Sequence, residues 1–286
     1  MKLGLGTVQF GLDYGATNRA GRVPETEVRA MLAMTTDAGV RLLDTANAYG
    51  EAEAVLGRCL PRSHGFSVVT KTPPGGSLPQ IEAAFSASLA RLDMERVAGL
   101  LCHRPNELLA GAGKAIAHWL LDQRETGRAE RVGVSVYSPA EADALFARYP
   151  FDLVQLPLNV LDQRFLADGC LDRLLAQGVE IHVRSAFLQG LLLEAPERLA
   201  PSFAPLGPAL STYRQYLERQ GIPPLTAALG FVAGACPAAT VVCGATGRSE
   251  LAEIIAAAAR PTDALPDFHQ FARNDDPLID PRQWKT

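Results

Sequence analysis

The sequence predicts a single-domain α/β protein folded as a (β/α)8 barrel, the TIM barrel. Eight short runs of apolar and β-branched residues recur along the 286-residue chain, and helical patterns alternate with them. The runs are apolar on both faces, as expected for parallel strands that are covered on both sides. No Gly/Ser-rich linker or shift of composition divides the chain. An open doubly wound sheet uses the same units and is the alternative architecture.

The predicted strands cover, in chain order, residues 2–7, 41–46, 66–71, 97–103, 131–136, 153–159, 179–185 and 240–244. Helical spacing of apolar residues predicts helices over residues 24–39, 78–92, 114–124, 164–177, 208–220, 225–235 and 249–259. A further helix is expected after Ser138, because Ser138-Pro139-Ala140-Glu141 is a capping-box pattern with proline at the first helical position. The proline-rich residues 188–206 predict a long loop, and a tail is expected from about residue 261.

Composition and charge exclude several classes of protein. Hydrophobic residues make up 48% of the chain and charged residues 20%, which is typical of a globular protein and excludes a mainly disordered one. The net charge of −4 provides no basic field for a nucleic acid or an anionic membrane. Five scattered cysteines without a Cys-x-x-Cys pair predict neither a disulfide framework nor a metal site. No apolar window suits a signal peptide or a membrane span, so we expect a cytoplasmic protein.

Four residues that suit acid–base chemistry follow three consecutive predicted strands. Asp44 and Tyr49 follow the second strand, Lys71 ends the third and His103 ends the fourth. In a TIM barrel these strand ends meet at one rim, where active sites lie. Each residue alone has a structural explanation: a loop-capping carboxylate, a half-buried aromatic ring, a solvated lysine or a packed histidine. Their joint occurrence at successive strand ends favours a catalytic role.

This set of residues suits proton donation to a carbonyl oxygen. A free tyrosine has a pKa near ~10 and is a weak acid at neutral pH. The ammonium group of Lys71 is expected to lower the pKa of Tyr49, and Asp44 is expected to keep the lysine charged. A neutral His103 would orient the substrate oxygen or share the proton.

With these residues the chain resembles the aldo-keto reductase superfamily. The motifs that carry the resemblance are G-L-G-T at 4–7, D-T-A-x-x-Y-G at 44–50, T-K at 70–71, H-R-P at 103–105, G-V-S at 133–135, and Gln155. The segments T-V-Q-F-G-L-D-Y-G and R-S-A-F-L-Q-G-L-L are similar to those of a bacterial subgroup of the superfamily.

The resemblance implies a catalytic tetrad and a nicotinamide cofactor site. Asp44, Tyr49, Lys71 and His103 form the implied tetrad. Ser135 and Gln155 would hold the nicotinamide carboxamide, residues 185–190 would follow the pyrophosphate, and residues 244–248 would lie near the adenosine ribose and its 2′-phosphate. The implied cofactor-binding residues are Gly6, Thr7, Ser135, Gln155, Arg184, Ser185, Phe187, Leu188, Gly190, Gly244, Ala245, Thr246, Arg248 and Glu250.

The chain departs from the superfamily pattern at three of its cofactor positions. Val136 stands where many relatives have asparagine, and Arg184 stands where many have an aromatic residue that stacks on the nicotinamide. Glu250 stands where a basic residue often contacts the 2′-phosphate. Arg248 favours NADP (as NADPH), whereas Glu250 favours NAD, because an acidic residue accepts hydrogen bonds from a free ribose 2′-hydroxyl. We expect NADPH to be preferred and keep NADH as the alternative.

The activity predicted from these residues is NAD(P)H-dependent reduction of an aldehyde or ketone to an alcohol, with Tyr49 as general acid and a small-molecule carbonyl as substrate. The alternative is a nucleotide-sensing barrel that binds NAD(P) with little or no turnover. A barrel aldolase that uses Lys71 as a Schiff base is disfavoured, because such a lysine should lack the nearby carboxylate of Asp44. The sequence identifies neither the physiological substrate nor the oligomeric state.

Overall fold

Eight parallel strands close into a barrel in the order in which they occur along the chain. The structure is a computed structural model that describes residues 1–61, 63–111, 113–260 and 265–284. The first and last strands pair through five register positions, from Lys2 opposite Thr240 to Gly6 opposite Gly244. The predicted TIM barrel is therefore confirmed, and the open doubly wound sheet is excluded. The strands are β1 Lys2–Gly6, β2 Leu42–Asp44, β3 Ser67–Lys71, β4 Val97–Cys102, β5 Ala129–Ser135, β6 Leu153–Pro157, β7 Glu180–Arg184 and β8 Thr240–Gly244.

Helices connect the strands around the outside of the barrel. The expected capping box is present at Ser138, whose hydroxyl accepts a hydrogen bond from the Glu141 backbone N–H at 3.3 Å. The α-helices are α1 Val8–Gly11, α2 Glu25–Asp37, α3 Ala52–Cys59, α4 Leu78–Leu92, α5 Pro105–Leu109, α6 Gly113–Glu125, α7 Pro139–Phe146, α8 Arg164–Ala167, α9 Cys170–Ala176, α10 Gly207–Gln220, α11 Pro224–Ala235 and α12 Arg248–Ala258.

The structure divides one predicted helix in two and adds α1, α3 and α5, which were not predicted. The helix predicted over 164–177 is two helices, because Gly169, at φ 75°, interrupts the helical conformation between α8 and α9. Helix α3 was not predicted, since Gly57 in its middle weakens the helical pattern. A β-carbon at Gly57 would lie 2.1 Å from the carbonyl oxygen of Arg91 in α4. The glycine therefore permits close packing of the two helices.

The segment predicted as a long loop contains short 3-10 turns at Leu188–Gly190, Pro196–Arg198 and Pro201–Leu206. Further 3-10 turns lie at His269–Phe271, Pro277–Ile279 and Pro281–Gln283. The rings of Phe203 and Trp284 are 4.7 Å apart between centroids, so the end of the described chain packs on the 188–206 segment. The predicted start of the tail at residue 261 lies outside the described residues.

A small apolar layer inside the barrel forms the floor of the site. Its members are Leu42, Val69, Leu101 and Leu153, each two residues before a polar residue that lies in the same strand or directly follows it. Because alternate residues of a strand face the same side, the polar residues lie one layer above, and they are Asp44, Lys71, His103 and Gln155. In the described ranges, no helix combines the length and the apolar character needed to cross a membrane.

Candidate active site

A buried ion pair lies at the carboxyl ends of the neighbouring strands β2 and β3. The Lys71 ammonium donates to both carboxylate oxygens of Asp44 and to the carbonyl oxygen of Thr45, each at 2.8 Å. From the other side of the barrel, the amide nitrogen of Gln155 donates to Asp44 Oδ1 at 2.7 Å. Asp44, Lys71 and Gln155 are all buried. The lysine has three acceptors for its three donor hydrogens, so both charges are compensated despite their burial.

Tyr49 and His103 lie next to this ion pair and face a cavity. The Lys71 nitrogen is 5.0 Å from the centroid of the Tyr49 ring. The rings of Tyr49 and His103 meet edge to face, with centroids 6.0 Å apart and planes at 83°. The His103 Nδ1 atom is buried and has no hydrogen-bond partner among the described residues. The structure thus brings together the four residues that the sequence singled out.

Burial controls the protonation of these residues. Burial raises the pKa of Tyr49, and the nearby Asp44 carboxylate raises it further. The net shift is upward, opposite to the lowering expected from Lys71, because burial and the Asp44 carboxylate outweigh the lysine charge. Burial also lowers the pKa of Lys71 against the opposing effect of Asp44. It lowers the pKa of His103 to about 3, with the charge of Lys71 adding to the effect, so this histidine is neutral near pH 7.

A second buried carboxylate supports the segment that carries Tyr49. Glu53, at the start of α3, accepts a hydrogen bond of 2.6 Å from the Thr70 hydroxyl in β3. It also forms an ion pair with Arg91 of α4 at 2.6 Å. These contacts tie the beginning of α3 to the strand that ends in Lys71, and so fix the segment of Tyr49 relative to the lysine.

One cavity of about 850 Å³ extends from Tyr49 across the barrel mouth to the start of α12. Most residues of the predicted site line it, and they are Gly6, Thr7, Asp44, Tyr49, His103, Ser135, Gln155, Arg184, Ser185, Phe187, Gly190, Gly244, Thr246 and Glu250. Four predicted site residues do not line it. Leu188 and Ala245 are packed in the core, Lys71 lies buried beneath, and Arg248 is turned to Glu27.

The segment after β7 has an unusual backbone. Ser185, Leu188 and Gln189 have φ values of 59°, 47° and 53°, in the left-handed region that non-glycine residues rarely adopt. The Asn159 side chain holds the segment by donating to the Ser185 carbonyl oxygen at 3.0 Å. Strained backbone of this kind clusters at ligand-binding sites, so it supports a binding role for this segment.

The loop after β1 contacts the same segment. The Thr17 hydroxyl donates to the carbonyl oxygen of Gln189 at 3.5 Å. A β-carbon on Gly190 would lie 2.0 Å from the Thr17 oxygen, so only glycine fits there. Since β8 lies between β7 and β1 in the barrel, this contact passes above the carboxyl end of β8.

Two carboxylates occupy donors at the start of α12. Glu250 accepts hydrogen bonds from the Thr246 backbone N–H at 2.7 Å and from its hydroxyl at 2.8 Å. Glu27 of α2 accepts from the Arg248 backbone N–H at 2.7 Å, and the Arg248 Nε atom lies 3.0 Å from the same carboxylate. Sequence reasoning missed Glu27, because no local pattern connects it with Arg248.

Sequence reasoning also missed an aromatic wall beside the tetrad. Tyr137 follows β5, lines the cavity and is sandwiched between two guanidinium groups. Arg184 lies 4.0 Å from the centroid of its ring, and Arg282 lies 3.9 Å from it. The one signal in the sequence that could have identified Tyr137 was its position, two residues after Ser135 at the end of a strand.

The sequence profile of the Aldo/keto reductase family matches residues 2–265. An aldo-keto reductase of Mycolicibacterium smegmatis is 29% identical over 132 residues, which are 44% of this chain and 45% of that protein. The chain thus spans about half the length of the curated relatives that it matches.

Two solved structures share the fold. Aldo-keto reductase AKR11C1 of Bacillus halodurans aligns with a TM-score of 0.72 at 19% identity, over 99% of this chain and 92% of that one. Glycerol dehydrogenase AKR11B4 of Gluconobacter oxydans aligns with a TM-score of 0.69 at 20% identity, over 94% and 88%. Because the family profile extends over nearly the whole barrel that holds the Asp44–Lys71 pair, the chain belongs to the aldo/keto reductase family.

Proposed function

We propose that the protein reduces an aldehyde or a ketone to an alcohol with NAD(P)H, and that Tyr49 donates the proton to the carbonyl oxygen. The observation that carries the proposal is the Tyr49 phenol at a cavity wall beside the buried Asp44–Lys71 pair. Tyr49 stays protonated because burial raises its pKa, so it is available as an acid at neutral pH. The polar side chains that line the cavity stabilise the negative charge that develops on the carbonyl oxygen, because their effect is strong at low dielectric constant.

The other members of the tetrad have distinct roles in this proposal. Lys71 supplies a positive charge beneath the Tyr49 ring, which stabilises the phenolate left after proton transfer. Asp44 keeps that lysine charged and fixed in position. The neutral His103 lines the cavity, so its ring N–H can donate a hydrogen bond to the substrate oxygen.

The cavity fits a nicotinamide dinucleotide. Its volume of about 850 Å³ falls within the range of about 300–1,000 Å³ that is usual for ligand sites. The side chain of Gln9, in α1, lies beside Gly244 at the end of β8. Its oxygen is buried and has no partner among the described residues. Ser135 and Gln155 would hold the carboxamide, and residues 185–190 would hold the pyrophosphate. When bound, the cofactor supplies the hydride that reduces the carbonyl carbon.

The contacts at α12 bear on the choice between NADPH and NADH. The preference for NADPH that the sequence predicts rests on Arg248, but the charge of Arg248 is paired with that of Glu27. Glu250 points its carboxylate at Thr246, which lines the cavity. A 2′-phosphate here would meet two carboxylates and would have to displace Glu27 from Arg248. We therefore propose NADH as the better-bound cofactor, in place of the preference for NADPH.

A screen of cofactor oxidation tests the proposed activity. The purified protein would be mixed with NADH or NADPH and a set of aldehydes, ketones and keto sugars, and the loss of absorbance at the reduced-nicotinamide band would be followed. Carbonyl-dependent oxidation is expected with at least one compound. Tight cofactor binding by fluorescence without oxidation of either cofactor would instead support the nucleotide-sensing alternative.

A further inference from the structure

Arg184 places a guanidinium group on the substrate side of the cavity. The residue ends β7, is half-buried and lines the cavity with Tyr49 and His103. Its Nη2 atom donates to the Val136 carbonyl oxygen at 3.0 Å, beyond the end of β5. Since β6 separates β5 from β7, the side chain crosses above β6 and points away from β8. Its charge therefore lies away from the start of α12, on the side of the barrel where β4 carries His103.

The charge of Arg184 has no acidic partner within the described residues, in contrast to that of Arg282. On the opposite face of Tyr137, Arg282 forms ion pairs with Asp280 at 2.6 Å and Glu141 at 3.2 Å. Arg184 has two neutral acceptors, the Val136 carbonyl and, at 3.3 Å, the Ser185 hydroxyl. A guanidinium has five N–H donors, so several remain for a ligand.

Of the four acids that line the cavity, Glu253 lies on α12, away from Arg184, and the other three are already engaged. Asp44 is paired with Lys71, and Glu250 accepts from Thr246. Glu194 lies 4.0 Å from Arg19 and from Arg198. A half-buried cation with no counter-ion carries a desolvation penalty that a bound anion relieves.

The charge of Arg184 affects the pKa values of the residues that are proposed to react. It lowers the pKa of His103 and of Lys71, and it opposes the rise in the pKa of Tyr49 that burial causes. Because Arg184, Tyr49 and His103 line the same cavity, an anion bound at Arg184 can belong to the same molecule as the carbonyl group.

We propose that Arg184 binds a carboxylate of the substrate, so that the natural substrate is an oxo acid, a molecule with both a carbonyl and a carboxylate group. This proposal rests on the proposed carbonyl reduction. A single guanidinium matches the single charge of a carboxylate and binds its two oxygens side by side. A phosphate group, with nearly two charges, would need a second free cation, whereas Arg282 is already paired with two acids. The wall formed by Tyr137 would hold the guanidinium in place for this contact.

Matched substrates test the proposal. The rates for 4-carboxybenzaldehyde and its neutral amide, 4-carbamoylbenzaldehyde, would be compared, together with 5-oxopentanoate and 5-oxopentanamide as a flexible pair. In the wild type, kcat/KM for the better acid should exceed that for its amide on the order of tenfold or more, the effect of a charged hydrogen bond. In Arg184→Met the acid-to-amide ratio should fall to near one, and Arg184→Lys should lie between. Arg282→Met is the matched control and should keep the wild-type ratio.

Binding of 4-carboxybenzyl alcohol, measured by calorimetry in the presence of NADH so that the alcohol and the cofactor cannot react, separates this proposal from the proposed function. Weaker binding to Arg184→Met than to the wild type supports the carboxylate site even if no aldehyde is reduced. Reduction of acids and amides at equal rates would overturn the site and leave the reductase intact. If Arg184→Met weakens NADH binding and leaves the acid-to-amide ratio unchanged, Arg184 serves the cofactor and the proposal is wrong.

Discussion

A β-carbon on Gly11 would lie 1.9 Å from the carbonyl oxygen of Tyr49, so the end of α1 packs directly against the backbone of the proposed acid. The contact continues at the next residues, where the same β-carbon would lie 2.4 Å from the Ala52 backbone nitrogen. No rearrangement of a flexible side chain can relieve these contacts, because both involve backbone atoms. Gly11 therefore determines how closely the Tyr49 segment approaches the barrel.

Replacing Gly11 with alanine should displace Tyr49 and reduce turnover far more than it changes the fold. Circular dichroism should be nearly unchanged, while kcat should fall on the order of a hundredfold, as when a catalytic group is misplaced by about 1 Å. Gly234→Ala is the control, because a β-carbon there meets no atom within 4 Å. That control should retain activity and gain helix stability. Equal activity of Gly11→Ala and Gly234→Ala would show that the contact does not position Tyr49.

Replacing Tyr49 with phenylalanine removes the phenol oxygen and keeps the ring against His103. If Tyr49 is the general acid, kcat for carbonyl reduction should fall by roughly 10²–10⁴-fold. The Kd of the reduced cofactor, measured by fluorescence, should change little. Near-normal turnover in Tyr49→Phe would rule out the proposed role.

The Asp44–Lys71 pair should contribute separately to stability and to catalysis. Lys71→Met leaves a buried carboxylate without a counter-charge, and should reduce the free energy of unfolding by about 3–5 kcal/mol. The double variant Asp44→Asn, Lys71→Met removes both charges and should recover much of that stability in a urea titration. Turnover should stay low in the double variant, because the charge beneath Tyr49 is absent. If turnover recovers together with stability, the pair is structural and does not assist Tyr49.

His103 should make the protein less stable in mild acid. Its pKa is about 3 in the folded protein and near ~6.5 in the unfolded chain, so only the unfolded chain takes up its proton between these values. The contribution of the neutral His103 to the free energy of unfolding is fully present above pH 6.5 and is lost as the pH falls towards 3. From pH 7 to pH 5, the wild type should lose about 2 kcal/mol more than His103→Asn in urea unfolding. Parallel losses in the two proteins would contradict the neutral, buried histidine.

Cofactor choice should depend on Glu27. In Glu27→Gln, the Arg248 guanidinium is released from its ion pair and a negative charge is removed from the start of α12. NADPH should then bind roughly tenfold more tightly, whereas NADH affinity should change little. Glu25→Gln is a suitable control, because Glu25 on the same helix pairs with Arg58 instead. If fluorescence titration shows the same shift for both cofactors, Glu27 does not discriminate the 2′-phosphate.

The sequence was sufficient to place the strands and the tetrad, since both follow periodic patterns that end in a polar residue. Asp44, Lys71 and His103 each follow an apolar run, and β-strand geometry then brings them to one rim. The remaining features depend on pairs that no local pattern connects. Glu27 meets Arg248 across 221 positions of the chain. The direction of the Tyr49 pKa shift likewise depended on burial that only the folded barrel defines.

The contact of Thr17 with Gln189 and Gly190 has a kinetic consequence. A dinucleotide that extends from Tyr49 to Thr246 would run beneath the two loops that meet above β8. Such a molecule can depart only after the loops separate, and loop motions of this size take microseconds to milliseconds. The residence time of the oxidised cofactor, rather than hydride transfer, is then expected to limit the steady-state rate, and a pre-steady-state burst of product would accompany the first turnover.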